Sequence, residues 1–311
     1  MYDIVYHYTS PNGILGILQR KALWFTDCQY LNDMGEFVYI REPFKNAYEK
    51  LNKECGKSME NLDAFIDSFF ISPYENLAFN SSKKQGKFFR GFNSLRYYVL
   101  CASINPDTAN MWNYYIKNGA YKGYNLGIDR SFISKWFSNN KNNEIGFLEG
   151  KVIYDKQKQI DMIYNKLEEL TNIFEERKKS INKDDENYDY FLDQLSDDYQ
   201  SELYDYIHEK KLFFKNPAFS CEEEYRFILK VNNDFFENDK LSLKFRAGAS
   251  GIITPYIEWK FTLDEKEQLF KQISLAPMME ATLAEESFKR FLAVEVRRNI
   301  EIKKSSIKLR F

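Results

Sequence analysis

The sequence predicts an α+β fold. Three observations carry this reading. Short β-like runs are separated by helices of uneven length, and tight-hairpin signals are scarce. One stretch, residues 155–212, holds neither glycine nor proline and reads as two long helices.

The elements follow in order. Asp3 to Thr9 is a first β-like run, and Ser10-Pro11 supplies an N-cap with proline at the first helical position. Ile14, Leu15, Ile17 and Leu18 give the short helix its buried stripe, and Leu23-Trp24-Phe25 is extended. Residues 37–70 read as helical and 72–96 as loop. Tyr97–Ser103 is a buried strand ended by Asn105-Pro106-Asp107, followed by a short helix over Thr108–Lys117 and strands over Gly123–Asp129 and Lys151–Tyr154.

In the long insertion, Ile160, Ile163, Leu167, Leu170 and Ile173 keep helical spacing, as do Phe191, Leu195, Tyr199, Leu203 and Tyr206. Residues 180–187 form the turn between them. Beyond it, Tyr225–Val231, Leu241–Phe245 and an extended piece from Gly251 are strands. Thr262-x-x-Glu265 and Thr282-x-x-Glu285 are capping boxes, and Ile300–Phe311 is a final strand. The expected organisation is a single domain over 1–311 with a helical insertion at 155–212.

The 311 residues carry 44 Lys+Arg against 46 Asp+Glu, which excludes a uniformly basic or acidic chain. The balance is uneven along the sequence. Residues 155–212 hold 9 basic and 16 acidic residues, so the rest of the chain is net basic by 5. The acidic stretch reads either as a solvated helix face or as a docking surface for a protein partner, an inhibitory one included. Aromatic residues make up 17%, too many for a disordered chain. Cys28, Cys55, Cys101 and Cys221 form no CxxC pair and have only His7 and His208 as companions, so no metal is expected. Scattered cysteines, no basic leader and no apolar run of ~18 residues set the expectation of a cytoplasmic protein without a membrane span.

P-loop, GxGxxG, GxSxG and HExxH motifs are absent from the sequence. Four constellations remain. His7 stands near the end of the first strand, next to Tyr8 and Thr9. Asn32-Asp33 with Glu36 forms a polar run that also fits helix capping. Trp112, Tyr114, Tyr115, Tyr121 and Tyr124 are interleaved with Gly119, Gly123 and Gly127, a pattern suited to packing or to stacking on a planar ring. Glu222-Glu223-Glu224 precedes a strand, and an extended run places Glu222 and Glu224 on one side.

Taken together, His7-Tyr8-Thr9-Ser10, Leu31-Asn32-Asp33 with Glu36, Met111–Tyr115 with Gly123-Tyr124, Glu222–Arg226 and the end over Ile300–Arg310 with Ser305-Ser306 resemble a bacterial family catalogued as domain of unknown function 2971. The resemblance covers both ends and the middle but not 155–212. The order of histidine, two tyrosines and glutamate further resembles the H-Y-E signature of ADP-ribosyltransferases.

That second resemblance implies a split β-sheet core with flanking helices, here carrying the acidic two-helix insertion. It implies NAD as co-substrate, without a metal. His7 would hold a ribose hydroxyl of NAD, and Tyr8, Thr9, Asn32 and Asp33 would also bind the cofactor. Tyr115 and Tyr124 would sandwich the nicotinamide, with Tyr114 a rival to Tyr115. Glu224 would be catalytic, with Glu222 its rival.

The chemistry suits these residue types. Cleavage of a ribosyl bond develops oxocarbenium character, which a carboxylate stabilises and aromatic faces flank. The implied activity is transfer of ADP-ribose to a macromolecule, with RNA or DNA favoured over protein because the remainder of the chain is basic. The implied setting is a bacterial toxin or phage-defence effector. Two other readings stay open: an NAD glycohydrolase using the same site, and a non-catalytic module acting through the acidic helices.

Overall fold

The computed structural model describes residues 3–31, 35–54, 95–115, 121–140, 145–232, 238–248, 251–296 and 300–308. Asn32, Asp33 and all of residues 55–94, expected to be helix or loop, lie outside them. The chain divides into two units. One comprises Met1–Asn32, Ser94–Lys151 and Cys221–Phe311, and the other comprises Asp33–Asn93 and Val152–Ser220. The second unit takes in the 155–212 stretch of the expected insertion together with Asp33–Asn93.

The first unit is α+β, with a large mixed sheet of ten strands among the described residues. Strand β1 is Ile4–Thr9, helix α1 is Pro11–Arg20 and β2 is Ala22–Asp27. As expected, the Ser10 hydroxyl accepts from Gly13 N at 3.1 Å with Pro11 at the start of the helix. A Cβ on Gly13 would lie 1.9 Å from Thr9 Oγ1, so glycine is what allows α1 to fold back onto β1.

Strand β3 is Leu95–Ser103 and β6 is Glu224–Asn232. They pair along their whole length, from Leu95 opposite Asn232 to Ser103 opposite Glu224. The other edge of β3 is shared. β1 meets it at Ser103, opposite Tyr6, and β2 meets it at Val99 and Tyr98, opposite Thr26 and Asp27. The sheet therefore forks on β3, with Cys101 between the two arms.

One arm continues from β1 to β4 (Tyr124–Asp129), β9 (Phe270–Leu275) and β10 (Glu301–Lys304). The other continues from β2 to β8 (Ile253–Lys260) and β7 (Leu241–Ala247). β5 (Ile145–Lys151) pairs with β6, and the β9–β10 pair is parallel.

Alternation along the strands sorts the two faces of the sheet. Val5, Leu100, Ala102, Tyr225 and Phe227 belong to the large core with Phe25, Trp259 and Phe137, covered by helices α1, α4 (Arg130–Asn139) and α8 (Ala281–Phe291). Tyr6 and Tyr8 belong to a second, small cluster with Met111, Trp112 and Tyr115. These last three lie on or just after the short helix α3, Ala109–Tyr114.

Several boundaries differ from the expectation. The strand read over 151–154 is really β5 and ends at Lys151, while Ile153 makes an isolated bridge to Phe214. β9 follows helix α7 (Leu263–Leu269) without a break, and its polar Gln272 and Ser274, hydrogen-bonded to each other inside the sheet at 3.1 Å, hide the apolar pattern. The Thr262–Glu265 capping box is present, but α8 is capped by Glu280, whose carboxylate accepts from Thr282 N and Leu283 N. The final strand is shorter than Ile300–Phe311, spanning Glu301–Lys304.

In the second unit, α2 (Arg41–Glu54) packs with the two long helices α5 (Lys156–Ser180) and α6 (Tyr188–Lys210). Phe44 and Ala47 of α2 meet Ile163, Leu167, Leu203 and Ile207 in their own core. Gln159 is fully buried and fully used. Its amide donates to the carbonyls of Ile153 and Lys215, and its oxygen accepts from Tyr39. The helical stripes outrun this core, so Ile173 and Phe191 are exposed.

A candidate site at the fork of the sheet

The fork fixes where the predicted residues fall. Cys101 lies on β3 between the ends of β1 and β2, and His7 of β1 reaches its carbonyl, with Nδ1 2.9 Å from the oxygen. Burial is the main cause that lowers the His7 pKa, and the positive charge of Arg246 adds to it against the carbonyl contact. A neutral ring donating through Nδ1 leaves Nε2 as an acceptor, suited to a hydroxyl such as that of a ribose.

On the far side of β3, Glu224 opens β6 opposite Ser103, and Arg226 lies opposite Cys101. The two side chains share a face two residues apart and form a buried ion pair. Arg226 Nη2 and Nε both donate to Glu224 Oε2, at 2.6 and 3.1 Å. Their side chains are only 1% and 3% exposed. A guanidinium this close favours the ionised carboxylate. Glu222 is buried as well, at the end of the 3₁₀ turn Pro217–Glu222.

The run is not extended as expected. Glu223 adopts φ +44°, with its carbonyl accepting from Ile104 N and its carboxylate from Asn105 Nδ2. This left-handed residue turns the chain from the 3₁₀ turn into β6.

Tyr115 caps the end of α3 and comes into this group. Its hydroxyl pKa is raised mainly by burial, then by the charges of Glu224 and Glu222, with Cys101 also contributing. Tyr114 is 67% exposed, so of the two rivals Tyr115 is the one directed inward.

Tyr124 is placed elsewhere. It lies opposite Thr9 on β1, and its ring packs on Phe288 at 4.9 Å, within the large core. The nine-residue spacing from Tyr115 gave two tyrosines but not their faces. Tyr121, at φ +47°, is the ring that packs in the small cluster with Tyr115.

Tyr8 and Thr9 have local roles. The Tyr8 hydroxyl donates to Asn105 O at 2.9 Å and accepts from Thr108 N at 3.3 Å, and its ring meets Trp112 edge-on. Burial pushes its pKa up to about 12. Thr9 is buried beside α1.

Asp107, a strand breaker by sequence, is a four-way acceptor. Trp112 Nε1 and Ser305 Oγ donate to Oδ1, both at 2.7 Å, and Ser306 donates to Oδ2 through its backbone and hydroxyl. This ties the C-terminal residues to α3 and so to Tyr115. Arg226, at the end of the Glu222–Arg226 motif, likewise has a role that the motif alone does not name. Its i, i+2 spacing from Glu224 on a strand is the signal that predicts the pair.

The described residues contain no group of three or more His, Cys, Asp or Glu placed to hold a metal, and no helix long and apolar enough to cross a membrane.

Residues 111–227 match the family model described as Protein of unknown function (DUF2971). The match supports the family resemblance and includes Tyr115, Glu222, Glu224 and Arg226. It runs through the two long helices, which the expected resemblance left out, and excludes His7 and Ser305-Ser306, which it included. No curated protein and no solved structure matches the chain.

Proposed function

We propose that this protein is an NAD-dependent ADP-ribosyltransferase whose site lies at the fork of the sheet. The observation that supports it most is the grouping of a half-buried tyrosine with two buried glutamates near Cys101, whose carbonyl is held by a neutral histidine.

In this reading His7 Nε2 accepts a ribose hydroxyl of NAD, and the Tyr115 ring lies against the nicotinamide, with Tyr121 as the second ring. The bond between nicotinamide nitrogen and ribose C1′ breaks, and its electron pair leaves with nicotinamide. Glu224 stabilises the developing oxocarbenium ion. A nucleophile of the acceptor then bonds to C1′, and its proton passes to the carboxylate. Arg226 is a positioning residue that holds Glu224 ionised and in one rotamer. Nucleic acid is the proposed acceptor, since the chain outside 155–212 is net basic by 5.

The test incubates the full chain with NAD labelled in its adenylate part and with RNA, DNA and protein fractions separately. Label transferred to RNA or DNA, with nicotinamide released in equal amount, is the expected result. Free ADP-ribose with no labelled macromolecule assigns a glycohydrolase instead. No release with any fraction rejects the proposal.

A further inference from the structure

The second arm of the fork carries a cation whose surroundings suit a ligand. Trp24 and Thr26 of β2 lie opposite Glu258 and Tyr256 of β8, and Lys244 and Arg246 of β7 lie opposite Tyr256 and Thr254. Since Thr26 also pairs with Val99, alternation puts this group on the sheet face that carries Glu224 and Arg226.

Trp24 and Tyr256 form a ring pair 4.5 Å apart. The Arg246 guanidinium lies over both, 5.3 Å from the first centroid and 5.7 Å from the second, and one of its terminal nitrogens donates to Thr26 Oγ1 at 2.9 Å. Arg20 approaches Trp24 as well, at 5.7 Å.

Among the described residues no carboxylate pairs with Arg246. Glu258, the acid of this face, accepts from Trp24 Nε1 at 3.3 Å and lies 3.8 Å from Lys260. A stacked guanidinium keeps its in-plane edge for acceptors, and four of its five N–H groups remain after the Thr26 bond. The residue is exposed, so that edge is accessible. A latch between β7 and β2 would need only the rings and the threonine. The unpaired charge is the feature that calls for an anion.

We propose that Arg246, stacked on Trp24 and Tyr256 and steered by Thr26, is a phosphate-binding site for a nucleotide that reaches the fork. It deepens the ADP-ribosyltransferase reading by placing the phosphates of NAD on the β2–β8–β7 arm, opposite His7. The charge of Arg246 also contributes to the lowered pKa of His7, so the two lie near each other at the fork. A planar, bidentate donor is the preferred partner of a phosphate and is worth about ten- to hundredfold in affinity.

The experiment is calorimetric titration of the full chain with ADP-ribose, adenosine, inorganic pyrophosphate and a ten-nucleotide RNA, using wild type, Arg246→Gln, Arg246→Lys and Thr26→Val. Thermal unfolding checks that each variant is folded. ADP-ribose affinity is expected to fall about tenfold or more in Arg246→Gln and less in Arg246→Lys and Thr26→Val. Adenosine binding is expected to be unchanged and pyrophosphate to compete with ADP-ribose.

Equal ADP-ribose affinity in wild type and Arg246→Gln overturns the site while leaving the transferase reading in place. No ADP-ribose binding, together with pyrophosphate or RNA binding that Arg246→Gln weakens, supports the phosphate site and rejects NAD as its source. No phosphate-bearing probe bound by folded wild type overturns both.

Discussion

Removing Arg226 is the perturbation that bears most directly on how the site is built. Its guanidinium and the Glu224 carboxylate are both almost wholly buried, with N–O distances of 2.6 and 3.1 Å. At an effective dielectric of ~20 their attraction is roughly 6 kcal/mol. Desolvation of the two charges costs several kcal/mol each and offsets most of it. The net worth of the pair is therefore small, but breaking it leaves a buried charge without its opposite.

Arg226→Met is expected to destabilise the protein by about 3–5 kcal/mol, and Arg226→Met/Glu224→Leu by less than Arg226→Met alone. Urea unfolding of the two single variants and the double variant, treated as a double-mutant cycle, measures this. A loss below about 1 kcal/mol in Arg226→Met, or additive losses in the double variant, refutes the argument that the two residues act as a buried unit.

Other outcomes follow from the same structure. Asp107→Ala removes the acceptor of four hydrogen bonds and strands the buried Trp112 Nε1, and is expected to cost about 2–3 kcal/mol by urea unfolding. Leu203→Ala, at a position with no exposed surface in the core of the second unit, is expected to cost about 3 kcal/mol, read in the same way. Both histidines have folded-state pKa values below the ordinary 6.5, His7 chiefly through burial and His208, at about 4, also chiefly through burial with Lys211 adding to it. The unfolded chain therefore binds protons first. This stability contribution is complete above about pH 6.5 and is lost as pH falls from there toward the folded values. Denaturation midpoints between pH 7 and pH 4 are expected to fall less steeply in His7→Gln and in His208→Gln than in wild type. If the proposed transferase acts as a toxin, bacterial growth during induced expression stops with wild type and continues with Glu224→Gln, as colony counts would show.

The sequence foretold those parts of the fold that local chemistry decides. The Ser10-Pro11 start of α1, the Thr262–Glu265 cap and the buried strand β3 all follow from nearest-neighbour spacing. β5 and β9 escaped because glycines or paired polar side chains take the place of an apolar run. The second unit escaped for another reason. Its core joins α2 to helices more than a hundred residues later, a pairing that no local pattern announces.

At the site, the acidic run before β6 and the tyrosine after Trp112 were legible as residue types. Their arrangement was not, because it depends on register. Tyr124 faces the large core through its pairing with Thr9, and Glu222 reaches Tyr115's neighbourhood only because Glu223 takes a left-handed turn. The fork itself arises from two strands sharing one edge of β3, a fact of topology alone.

The measurement that tests the central claim most directly is NAD binding and nicotinamide release by wild type and Glu224→Gln side by side, with RNA present. The account predicts that both proteins bind NAD and only wild type releases nicotinamide. Release by Glu224→Gln at the wild-type rate, or no NAD binding by either folded protein, would contradict it.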